Sequence, residues 1–156
     1  MNHKTPSSKE YSGELRCDGK VIAYHSALGN WSVPITSVRL IGEYTNSDGP
    51  YVDDYFLVFL TAPENGWHEA SFYAKGRDEA LATLSISIGV PLDCGLCNST
   101  QYKTRIMWPE NFKDEELMEV IPPKKKSFWR RFADFGAREI RLSAAARQAF
   151  DSSASR

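Results

Sequence analysis

Six consecutive apolar residues, Tyr55-Phe56-Leu57-Val58-Phe59-Leu60, restrict what this chain can become more than any other stretch. The run is rich in aromatic and β-branched side chains, and its length suits a strand rather than a helix. A strand with one wet face alternates, whereas a continuous apolar strand needs cover on both faces. Residues 55–60 are therefore expected inside a sheet, with Phe56, Val58 and Leu60 packed toward one side and Leu57 and Phe59 toward the other. Turn-forming residues bracket the run: Asn46-Ser47-Asp48-Gly49-Pro50 before it and Pro63-Glu64-Asn65-Gly66 after it. An apolar stretch at 38–44 precedes the first turn, and an alternating one at 67–74 follows the second. Together they predict a meander of three antiparallel strands.

Upstream, Glu14-Leu15-Arg16-Cys17 and Lys20-Val21-Ile22-Ala23-Tyr24 flank Asp18-Gly19, a dipeptide that favours a tight hairpin. Leu28-Gly29-Asn30 is another turn. Trp31-Ser32-Val33-Pro34-Ile35 is extended, and Pro34 confines it to an edge or a strand end. Downstream the period changes. Leu81, Leu84 and Ile88 recur on one helical face, Asp78 and Glu79 favour the positive end of a helix dipole, and Gly89 and Pro91 stop it. The spacing predicts a helix over about 78–88. Residues 102–108 and 117–121 read as further strands, with a helical turn at Asp114-Glu115-Glu116 as the alternative to the second.

A hairpin, the Trp31-x-x-Pro34-Ile35 segment, more antiparallel strands and then one amphipathic helix resemble the pleckstrin-homology-like superfold, especially small bacterial PH-like and GRAM-type domains. The resemblance covers about residues 14–89. It implies an α+β fold, a strongly bent antiparallel sheet forming a PH-like half-barrel with one packed helix. Phosphoinositide-binding members of that group use a basic cluster in the first hairpin. Here only Arg16 and Lys20 are available, beside Glu14 and Asp18, so headgroup binding is not carried over to the globular domain.

A length of 156 residues fits one domain. The expected organisation is a disordered lead-in at 1–12, an α+β domain at 13–121 and a basic tail at 122–156. The first residues lack the apolar core of a signal peptide, and no window approaches the roughly 20 apolar residues of a membrane span. Three cysteines, an odd number, fit reduced thiols. The chain reads as cytoplasmic, with peripheral membrane attachment as an option. From Pro122 onward nine Lys and Arg stand against three Asp and Glu; in 1–121 the counts are ten and seventeen. An acidic body thus carries a basic tail.

Catalytic and metal-binding motifs are sparse. Cys94-Gly95-Leu96-Cys97 is a CxxC, but a predicted helix precedes rather than follows it, and no second cysteine pair exists. The pair reads as two ordinary loop thiols, with neither metal nor cofactor expected. Asp53-Asp54 and His68-Glu69 lie on adjacent predicted strands, yet neighbouring strand residues point to opposite faces. No catalytic residue is assigned.

The tail carries the sharpest pattern. Lys124, Lys125 and Lys126 are followed by Phe128, Trp129, Arg130, Arg131, Phe132 and Phe135, with Ser127 as an N-cap candidate. This predicts a separate amphipathic helix over about 127–150 that meets a protein partner or an anionic membrane surface. Packing on its own domain or self-association is the structural alternative, and nucleic acid is disfavoured by the acidic body. The functional expectation is a non-enzymatic binding or adaptor module. The alternatives are a small enzyme with an unrecognised site, or an inhibitor or immunity-type protein whose acidic body masks a basic partner.

Overall fold

The computed structural model describes residues 12–27, 29–47, 52–62, 66–121 and 139–153. Three antiparallel strands open the fold: β1 (Glu14–Cys17), β2 (Val21–Ser26) and β3 (Gly29–Pro34). The expected turn between β1 and β2 forms because the Asp18 carboxylate accepts from the amides of Lys20 and Val21, both at 2.8 Å. Pro34 ends β3, where its missing N–H costs no ladder bond.

The meander follows as β4 (Val38–Thr45), β5 (Tyr55–Thr61) and β6 (Gly66–Ser71). With β7 (Lys103–Trp108) they form a second antiparallel sheet in the order β6-β5-β4-β7, which puts β5 in the interior. Helix α1 (Arg77–Ile88) crosses between β6 and β7. It ends as its sequence dictates, with Gly89 in the left-handed region at φ 73° and the Gly89 and Val90 amides bonded back to Ile86 and Ser85. A two-stranded ribbon, β8 (Met118–Ile121) with β9 (Glu139–Leu142), and helix α2 (Ala144–Ser153) complete an α+β fold of antiparallel sheets.

β5 is covered on both faces. Leu57 and Phe59 join Leu15, Ile22, Val33, Leu81 and Leu84 in one core, with Ile88 packed at its edge. Val58 and Leu60 join Leu40, Ile106, Leu117, Ala146 and Ala149 in another. The alternation expected for residues 57–60 therefore holds. Phe56 keeps to the Val58 and Leu60 face but is only half-buried, stacked with 5.2 Å between ring centroids on Tyr44, which packs at the edge of the second core. The two sheets meet where Trp31 of β3 packs 5.5 Å from Phe59 and donates its indole N–H to the Glu69 carbonyl of β6 at 2.7 Å. That bond occupies an acceptor on a sheet edge that otherwise invites pairing.

The C-terminal helix exists, but with different bounds from those expected. Residues 139–142 alternate Glu-Ile-Arg-Leu and pair with β8 as a strand, so Ile140 and Arg141 lie in β9. Ser143, rather than Ser127, caps the described helix, its hydroxyl accepting from the Ala146 amide at 3.0 Å. Helix α2 is docked on the sheet. Its small Ala146 and Ala149 are fully buried against the second core, and Arg39 of β4 donates to the Ser153 carbonyl at its end. Residues 1–11 and 122–138, which include all of the expected lead-in but its last residue, the buried Ser12, and the aromatic, lysine-rich part of the tail, lie outside the described residues. Among the described residues no helix is long and apolar enough to cross a membrane.

Phe59 has no exposed surface. Phe59→Ala should therefore destabilise the fold by about 3–5 kcal/mol, a large part of the roughly 5–15 kcal/mol of an ordinary domain. Chemical denaturation of the purified variant checks this, and a midpoint unchanged from the parent would remove β5 from the centre of the fold.

Candidate functional site

A connected cluster of polar side chains lies in the second sheet, against the loop that carries Cys94 and Cys97. Three strands build it. Glu43 comes from β4, Tyr55 from β5 and Arg105 from β7, where it is the cross-strand partner of Glu43. Strand alternation explains why a carboxylate points inward: Ile41, Glu43 and Thr45 share a parity, and all three are buried. Glu43 is 0% exposed.

A buried carboxylate persists only when its oxygens are paired and hydrogen-bonded. Arg105 Nε donates to Glu43 Oε1 at 2.7 Å, and the Gly95 amide donates to the same oxygen at 2.8 Å. The Tyr55 hydroxyl donates to Oε2 and itself accepts from the Leu96 amide at 3.3 Å. Arg105 spends its other nitrogens on Asp114, at 2.6 Å, and on the Asp93 carbonyl. An added Cβ on Gly95 would stand 2.9 Å from the Arg105 Cζ and Nε atoms, so only glycine lets the guanidinium lie this close to the loop. The Tyr55 ring stacks on Phe72 at 3.9 Å, and the Arg77 guanidinium caps Phe72 at 3.7 Å.

The electrostatics follow from burial. Desolvation, then the hydrogen bond and charge of Glu43, pushes the Tyr55 hydroxyl far above the ordinary tyrosine range. Desolvation, with Glu43 adding to it, pushes the Cys94 thiol up to about 11. A thiol so protonated is a poor nucleophile at neutral pH. The arrangement is a latch: one carboxylate on β4, reached from β5 and β7, pins a loop that has no ladder of its own.

The two cysteines lie in a loop, as the sequence implies, but in unlike surroundings. Cys94 is half-buried and packs on the first core, while Cys97 is exposed. The difference arises because the latch draws the first half of the loop inward. Asp53-Asp54 and His68-Glu69 are not brought together. Asp53 accepts from Ser12 and Asp54 from Tyr73, before β5 begins. His68 sits opposite Phe59, further along that strand, 5.3 Å from Trp31, where burial lowers its pKa. Among the described residues no group of three or more His, Cys, Asp or Glu is placed to hold a metal. Lys124, Lys125, Lys126, Phe128, Trp129, Arg130, Arg131, Phe132 and Phe135 lie outside the described residues. Away from the latch, an apolar groove of about 430 Å³ runs between β6 and α2, bordered by Leu60, Trp67, Leu142 and Phe150, with Arg147 and Asp151 at its rim.

Glu43, Tyr55 and Arg105 escape a reading by motif. Their one signal is a pair of opposite charges, Glu43 on the parity of buried Ile41 and Arg105 on that of buried Met107. It becomes visible only once β4 and β7 are known to pair. Comparison with known proteins finds no matching family model, no matching curated protein and no matching solved structure.

Truncating Arg105 strands a buried carboxylate, so Arg105→Met should destabilise by about 3–5 kcal/mol. Glu43→Leu combined with Arg105→Met should recover part of that loss, because the two residues act as a unit. Denaturant midpoints of the single and double variants decide it; additive losses would contradict the latch.

Proposed function

We propose that this protein is a non-enzymatic binding or adaptor module that meets an anionic membrane surface through the connection between β8 and β9, residues 122–138. The observation that supports this reading is the ribbon's register. Ile121 pairs with Glu139, so the connection departs and returns at one end of the ribbon. Its seventeen residues hold six Lys and Arg against the single Asp134, together with Phe128, Trp129, Phe132 and Phe135. The reading is therefore of a basic aromatic loop carried by the body rather than a free terminal tail. The amphipathic helix expected around Trp129 and Phe132 belongs to the same proposal.

Two forces would act at such a surface. Each cation near anionic lipid contributes about 1 kcal/mol, screened by salt. The aromatic rings contribute about 25 cal/mol per Å² of apolar area buried, which salt leaves in place. The acidic body favours an orientation with the loop toward the lipid and the remainder away from it.

Co-sedimentation of the full chain with vesicles of phosphatidylcholine alone, or mixed with phosphatidylserine, tests the proposal. Replacing Lys124, Lys125 and Lys126 by Gln should weaken binding to anionic vesicles by on the order of a hundredfold at low salt, and Trp129→Ala should weaken it at every salt concentration. Equal partitioning to neutral and anionic vesicles at low salt would overturn the membrane reading and leave an acidic protein partner or self-association.

A further inference from the structure

The two residues whose amides the latch holds are the two that separate the cysteines. Gly95 N–H is bonded to Glu43 and Leu96 N–H to Tyr55. The exposed Cys97 Sγ lies 3.9 Å from the Cys94 carbonyl oxygen. Residues 91–102 contain no helix or strand, so this loop can change shape without breaking an element. Closing a disulfide across it would bring the two sulfurs to about 2 Å and fix the Cβ–S–S–Cβ torsion. Any turn of the backbone between them acts on the part anchored to Glu43 and Tyr55.

We propose that Cys94 and Cys97 form a disulfide-exchange site for low-molecular-weight disulfides, and that the Glu43–Tyr55–Arg105 latch sets its redox poise by holding the dithiol form. The reaction runs in two exchanges. The Cys97 thiolate attacks one sulfur of oxidised glutathione, the S–S bond breaks, and one glutathione leaves as a thiolate that takes up a proton. The Cys94 thiol then gives up its proton and attacks Cys97 Sγ in the mixed disulfide. The Cys94–Cys97 bond forms and the second glutathione leaves and is protonated. Two protein thiols have lost two electrons, and one glutathione disulfide has become two thiols. The second exchange is the controlled one. Burial keeps Cys94 protonated and packed against the core, so the latch must loosen before that thiolate is presented.

Linkage gives the test. Whatever the latch contributes to the dithiol form is lost in the disulfide form, so weakening the latch favours the disulfide. Tyr55→Phe retains the ring stacked on Phe72 and removes the hydroxyl that joins Glu43 to Leu96. The full chain is equilibrated in glutathione redox buffers, alkylated, and its free thiols located by peptide mass; Cys97→Ser serves as the variant that cannot close the bond. The expected result is a Cys94–Cys97 disulfide whose equilibrium constant rises at least tenfold in Tyr55→Phe, about 30 mV for this two-electron couple. The parent chain gives a second reading without any substitution: its disulfide form should melt below its dithiol form, opposite to the usual effect of a cross-link. The proposal is overturned if glutathione only caps Cys97, if the equilibrium is the same in Tyr55→Phe, or if the disulfide form melts at or above the dithiol form.

Discussion

A carboxylate with no exposed surface, Glu43, ties β4 to β5, to β7 and to the irregular segment that carries Cys94 and Cys97. Its two oxygens take donors from β5, from β7 and from the Cys94–Cys97 loop, so one charge fixes the relative position of these segments. Isolated, that charge would oppose folding by several kcal/mol. Paired with Arg105, and accepting from the Tyr55 hydroxyl and the Gly95 amide, it becomes a positional constraint on residues 93–97. The same low dielectric that makes the interaction strong also holds the Cys94 thiol and the Tyr55 hydroxyl in their protonated forms.

The rest of the fold supports this constraint by making β5 rigid. Each face of β5 meets its own core, one roofed by α1 and the three-stranded sheet, the other by α2 and the segment around Leu117. Helix α2 approaches closely because it presents Ala146 and Ala149 rather than larger side chains. Tyr55 stands at the first position of this doubly covered strand. Its hydroxyl is thereby delivered to Glu43 without depending on the flexibility of a loop.

The parts of the fold visible in the sequence are those specified locally. An unbroken apolar run marked β5, Gly89 and Pro91 marked the end of α1, and Asp18-Gly19 marked the first turn. The C-terminal region was less legible for a physical reason. A four-residue strand such as Glu139–Leu142 is too short for its period to stand out, and Ile140 and Arg141 fit a helical face drawn from Trp129 as well as they fit β9. Ser127 and Ser143 offer the same capping signal, and tertiary docking on Leu40 and Val58 accompanies the second. The latch was illegible because it depends on the register Glu43 to Arg105, a pairing of strands with a hairpin and a helix between them. The CxxC could be seen, but not the burial that makes its two thiols unequal.

The buried carboxylate of Glu43 holds a loop that is otherwise irregular and partly open to water. Gly95 tests this hold most directly, since the residue is exposed while its amide is bonded to Glu43. Amide hydrogen exchange followed by NMR on the reduced chain should show the Gly95 amide slowed by on the order of a hundredfold relative to that of exposed Asn98, since an amide bonded to a buried acceptor exchanges only when the site opens. A Gly95 amide that exchanges as fast as that of Asn98 would contradict it, leaving the loop unpinned and Glu43 and Arg105 a pair with no hold on the chain above them.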